Sequence, residues 1–165
     1  MIDAMTLTEL SERLAKRGLP LAAETALFIA LEALEALGTR ASIVTAPAVV
    51  VRLDGTVTLA GTMAPAGDEG GVVAGVVGLL EGVLASLPTD VADLAGKVRR
   101  GAIKSRGALA AELTALLVPF NRGASRRLLG RLLREAARPS GATATAAALS
   151  SVGPLGEDAL AAASG

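Results

Sequence analysis

The chain has 165 residues, 52% apolar but only 1% aromatic, and its 16 basic and 16 acidic groups cancel. It contains no Cys and no His, which excludes disulfides and thiolate chemistry and removes the commonest general base and metal ligand. No run of 18 uncharged apolar residues occurs, and the N-terminus lacks a basic region followed by an apolar one. Neither a transmembrane helix nor a signal peptide is therefore expected, and a cytoplasmic bacterial protein is the expected setting.

The length suits one domain with a real core. With only Phe28 and Phe120 as rings, that core must be Leu, Val and Ala. Residues 6–17 predict a first helix, with Leu7, Leu10 and Leu14 at helical spacing, Thr6 or Thr8 as cap and Gly18 as stop. Residues 20–37 predict a second helix. Its apolar residues cover too many sides for one stripe, so it is expected to be largely buried. Its polar side is Glu24, Glu32 and Glu35, and Phe28 lies on that side, four residues from both Glu24 and Glu32. Phe28 therefore either lies flat beneath neighbouring loops or stands exposed as an anchor for a partner.

After a connector at 39–47, Val49–Leu53 and Thr56–Leu59 flank Asp54-Gly55. This is a hairpin signal, because Asp-Gly tolerates the positive φ of a tight turn. Gly61–Gly71 reads as loop. Residues 72–86 predict a buried central helix. Its glycines at 71, 75, 78 and 82 form one smooth face suited to close approach by another backbone, each interior Gly costing about 1 kcal/mol relative to Ala. Further helices are predicted from Thr89 to about Arg100, over 107–118 and over 124–137. In the last, Leu128, Leu129, Leu132, Leu133 and Ala136 form an apolar face, and Arg127, Arg131, Arg134 and Arg138 a stripe on another. Residues 1–138 are expected to form the domain, and 139–165 a low-complexity, disordered tail with a short helix near 156–163.

The charges are segregated. Residues 1–96 carry 5 basic and 12 acidic groups, and residues 97–138 carry 11 basic and 2 acidic. An acidic front and a basic back can attract each other within one fold or between copies.

In this order the elements resemble the C-terminal lobe of a bacterial protein kinase of the eukaryotic type, without its N-terminal lobe. Thr6-Leu7-Thr8-Glu9-Leu10 through Leu37 resembles the first two lower-lobe helices. Val49–Leu59 resembles the paired strands at the active site, with their Asp-Gly turn. Ala64-Pro65-Ala66 resembles the Ala-Pro-Glu that closes the activation segment, and residues 72–84 the buried central helix. Arg106 followed by Ala108-Leu109-Ala110-Ala111-Glu112-Leu113 resembles a signature near the family's end. The resemblance spans roughly residues 3–118. It implies a mainly α, kinase-lobe-like fold with one β-hairpin. It also implies that Arg106 pairs with an acid standing for the missing Glu; Ala66 holds that place, so Asp68 or Glu69 is expected instead.

The departures bear on function. The Gly-rich loop and strand lysine belong to the upper lobe. No His, Asp or Asn lies between Leu37 and Val50 where the catalytic loop would be, and Gly61-Thr62-Met63 stands where Asp-Phe-Gly is expected. Phosphoryl transfer needs a carboxylate holding Mg²⁺ and an aligned hydroxyl. The expectation is a non-catalytic scaffold or regulatory module with no cofactor, no metal and no small-molecule substrate. It would work through a protein partner or a second copy of itself. The residues expected to carry that contact are Glu24, Phe28, Glu32, Arg127, Arg131 and Arg134, beside Met1–Leu7 and the hairpin edge.

Two alternatives remain at the level of sequence. The basic 97–138 segment could bind nucleic acid or membrane, although it lacks aromatics for stacking; the plainer reading of that stripe is a solvated face paired with the protein's own acids. An enzyme of another class would have to rest on Asp68-Glu69. Gly67–Gly71 is no phosphate loop, because no Lys-Ser/Thr follows.

Overall fold

A computed structural model describes residues 3–139; the predicted tail beyond, with its short helix near 156–163, lies outside the described residues. The chain runs β1 (Ala4–Thr6), α1 (Leu7–Lys16), α2 (Ala23–Leu37), β2 (Val49–Arg52), β3 (Val57–Leu59), α3 (Glu69–Val83), α4 (Thr89–Arg99), α5 (Arg106–Leu116) and α6 (Arg122–Ala137). It is mainly helical with a small antiparallel sheet, as expected. The sheet has a third strand that the sequence reading did not foresee.

That sheet has β2 at its centre. Val50 faces Thr58 on one side and Thr6 on the other. The turn is built by its own residues. Asp54 Oδ1 accepts from the Thr56 amide at 2.9 Å and from Thr56 Oγ1 at 2.6 Å, and Gly55 takes φ +83°, a conformation disfavoured for residues with a Cβ. These hydrogen bonds, the Thr56 hydroxyl first, hold the Asp54 carboxyl below its ordinary pKa. β1 was missed because three residues carry too little alternation to read as a strand. β1 covers one edge of the hairpin, and Met5 and Leu7 are buried, so these two residues and that edge do not supply the exposed apolar surface expected of Met1–Leu7 and the hairpin edge; Met1 and Ile2 lie outside the described residues.

The caps follow the residue chemistry. Thr6, Asp68, Ser105 and Asn121 each accept a backbone N–H from three residues on, opening α1, α3, α5 and α6. α3 therefore starts at Glu69 rather than 72, and Gly70 and Gly71 lie inside it. Pro88, not Thr89, precedes the first turn of α4.

The element at the centre is α2, with eleven of its fifteen residues buried, packed against β3, α3, α5 and α6. α3, expected to be central, buries Val72, Val73, Val76, Val77, Leu79 and Leu80 and leaves its other side open. Its glycine face meets other backbone only at Gly71, beside the Ala66 carbonyl, and at Gly75, beside Ile43 and Val44; beyond Gly78 and Gly82 the space is open.

α6 lies over the hairpin turn. A Cβ on Gly55 would fall 2.0 Å from the Arg126 carbonyl oxygen, and one on Gly130 would fall 2.5 Å from the Leu53 carbonyl oxygen. Glycines on both sides of this seam let two backbones touch, so the inner face of α6, with Leu129, Leu133 and Ala136 fully buried, closes the molecule over the sheet.

Candidate protein-interaction surface

Two charged junctions decide which basic groups remain open. Glu69 stands at the start of α3 and Arg106 at the start of α5. Arg106 Nε lies 2.9 Å and 3.1 Å from the two Glu69 carboxylate oxygens, and its Nη1 donates to the carbonyls of Gly38 and Arg40. One guanidinium thus ties the openings of two helices to the chain leaving α2. The pairing of Arg106 with one of Asp68 or Glu69, implied by the resemblance, is made by Glu69, while Asp68 caps α3. Its hydrogen bond to Arg106 holds the Glu69 carboxyl below its ordinary value, and the same bond raises the Arg106 pKa.

The second junction joins α2 to α6. Glu32 is 5% exposed and faces two arginines: Arg122 Nη1 at 3.0 Å and Arg126 Nη2 at 3.1 Å. Arg122 also takes Glu35 through both guanidinium ends, at 2.9 Å and 3.1 Å. Its pKa is raised, first by Glu35 and then by the Glu32 charge. Glu32, predicted to carry a contact, is thus committed within the molecule. Of the eleven basic groups in 97–138, six are ion-paired: Lys97, Arg99, Arg106, Arg122, Arg126 and Arg138. Four of these, Arg99, Arg106, Arg122 and Arg126, pair with acids of residues 1–96, and to that extent the acidic front and basic back attract each other inside one fold.

Arg127, Arg131 and Arg134 are exposed and form no ion pair among the described residues. At 100° per residue they fall on the side of α6 opposite Leu129 and Leu133.

Phe28 is 2% exposed. Its ring lies beneath the chain that links α5 to α6, 6.1 Å from the Phe120 ring at a tilt of 49°, and Arg122 stands 5.6 Å over Phe120. Of the two readings of Phe28, the ring under a neighbouring loop describes its position, not the exposed anchor. It nevertheless lines a cleft of about 240 Å³, together with Glu24, Thr25, Leu117, Val118, Phe120 and Leu128. Val118 is 72% and Leu128 41% exposed, so the apolar rim belongs to these two residues.

Sequence reasoning placed Leu128 on the buried face of α6. Five apolar positions there span more arc than one contact can cover, and Leu128, turned about 100° from Leu129, is the one left at the edge. That excess width, and the apolar run Leu117-Val118 at the end of α5, were the signals available. Glu24 and Phe28 meet at this cleft; Glu32, Arg127, Arg131 and Arg134 do not line it.

Among the described residues no group of three or more acids could hold a metal ion, and no helix is long and apolar enough to cross a membrane. Comparison with protein-family models and with curated proteins finds no match to this chain.

Proposed function

We propose that the chain is a non-catalytic protein-interaction module, a scaffold or regulatory lobe of the kinase C-terminal type. The observation that carries this reading is the cleft between α2 and the α5–α6 corner, where Val118 and Leu128 stand exposed over Phe28. Exposed apolar rims of this kind gain free energy when a partner covers them. The kinase-like element is supported by the Arg106–Glu69 tie, the Asp-Gly hairpin and the helix order. Catalysis is not part of the proposal, because the segment between α2 and β2 carries no acid or His, and Glu69 is occupied by Arg106.

The test is affinity capture from lysate of the source organism with the wild-type chain and the Leu128→Asp variant in parallel. A stoichiometric protein retained at high salt by the wild type and lost by the variant is expected. Identical proteins on both baits would overturn the cleft as the contact. A second reading, binding to an anionic surface through the basic 97–138 segment, is favoured by Arg127, Arg131 and Arg134, which form no ion pair among the described residues. It predicts salt-sensitive binding of nucleic acid or anionic lipid that disappears when Arg127, Arg131 and Arg134 are neutralised.

A further inference from the structure

Glu24 is the only charged residue lining the cleft between α2 and the α5–α6 corner. It is exposed and forms no ion pair among the described residues. Thr25 stands beside it, 6% exposed; it lines the same cleft, and its hydroxyl has no hydrogen-bond partner among the described residues. A Thr inside a helix often bonds the carbonyl four residues back, and a buried polar group without a partner is unfavourable. Ser125, on the α6 wall, adds a second hydroxyl. The rest of the lining is apolar, with Val118 and Leu128 exposed at the rim.

These groups select an occupant with an apolar stem and a positively charged head that donates hydrogen bonds. Lys and Arg combine the two. The stem covers apolar lining, while the head donates to the Glu24 carboxylate and the Thr25 hydroxyl oxygen. An acidic occupant is opposed by charge. The N-cap of α2, Ala22, makes no side-chain hydrogen bond, and an open helix end favours negative charge. Glu24, in the first turn, already supplies that charge. Two observations keep the site open to a cation: Arg127 and Arg131 do not line the cleft, and Arg122, over the Phe120 ring, is paired with Glu32 and Glu35. At about 240 Å³ the cleft lies below the roughly 300–1,000 Å³ of small-molecule sites and suits a side chain. We infer that it receives the side chain of one Lys or Arg presented by a partner protein, with an apolar neighbour of that residue against Val118 and Leu128. The inference rests on the interaction reading above and adds the chemistry of the partner.

The test is selection of a displayed random-peptide library on the 165-residue chain, followed by fluorescence anisotropy with the enriched peptides. The expected consensus is one Lys or Arg beside an apolar residue. Affinity is expected to fall about fivefold in Glu24→Gln, in Thr25→Val, and when Gln replaces the peptide's cation. Leu128→Asn is expected to cost about tenfold. Glu24 and Leu128 are exposed, so their variants are expected to melt as the wild type does. Combining Glu24→Gln with the Gln peptide is expected to cost less than the sum of the two losses, and additive losses would overturn the pairing. Repeating the selection on Glu24→Lys is expected to remove the cation from the consensus, a change that no purely structural role of Glu24 would produce. Cation-free or acidic peptides that still require Leu128 would overturn the cationic head and leave the interaction cleft standing. Peptides indifferent to Leu128, or no enrichment over the Leu128→Asn chain, would overturn both. A wild-type dimer in sedimentation that Glu24→Gln dissociates would overturn the partner protein in favour of a second copy of this chain.

Discussion

Phe28 and Gly55 show how much single positions carry in a chain with two aromatic rings. Phe28 fills the space between α2 and the α5–α6 link, against the Phe120 ring. Phe28→Ala is expected to destabilise by about 3–5 kcal/mol in urea unfolding, because it removes the ring and leaves a cavity against Phe120. Gly55 is constrained twice, by its positive φ and by the Arg126 carbonyl in the place of a Cβ. Gly55→Ala is expected to cost more than about 1 kcal/mol in the same measurement. An ordinary turn glycine would carry only the first of these constraints. The positive φ was legible in the Asp-Gly pair; the backbone contact was not, since it joins positions 71 residues apart.

Between elements, the ties are charged and shared. Arg122 and Arg126 both serve the buried carboxylate of Glu32, so each covers for the loss of the other. Arg122→Gln and Arg126→Gln are each expected to cost about 1 kcal/mol or less. The double variant is expected to cost about 3 kcal/mol, more than the sum, because it leaves Glu32 buried without a counter-charge. A double-mutant cycle on chemical denaturation measures the excess.

The Arg106–Glu69 tie has a pH signature. The Glu69 pKa is lower in the folded chain than in the unfolded one. Its contribution is therefore present above the unfolded value of about 4.5 and is lost as pH falls through the lower folded value. Asp54 adds a loss of the same sign. Between about pH 5 and pH 3 the wild-type stability is expected to fall more steeply than that of Glu69→Gln, read from denaturation midpoints at each pH. Parallel curves would show that the tie is energetically silent.

For the whole molecule, α6 decides what is open. It covers the hairpin turn and, with the chain leading into it, Phe28. Without it, α2 and β2 would lose one side of their cover. A chain ending before Arg122 is expected to lose cooperative thermal unfolding and to aggregate, checked by circular dichroism melts and light scattering. The outer face of α6 then holds Arg127, Arg131 and Arg134, which form no ion pair among the described residues, beside Leu128.

The sequence by itself determined the mainly helical class, the hairpin and the helix order, and named Thr6 among its candidate caps, because these depend on residues within a turn or two of one another. Periodic leucines, a capping hydroxyl or carboxylate and an Asp-Gly pair act locally. The sequence also offered Asp68 or Glu69 as the partner of Arg106, through a resemblance rather than through periodicity, and the tertiary structure chose Glu69. Only the tertiary structure decided that β1 joins the sheet, that α2 rather than α3 is central, and that Phe28 is covered while Val118 and Leu128 are exposed. It alone separated the arginines spent on Glu32 and Glu35 from those left facing outward. These outcomes depend on which faces meet across long separations. A charge count or a helical wheel places a side chain on a face, but only packing decides whether that face finds a neighbour.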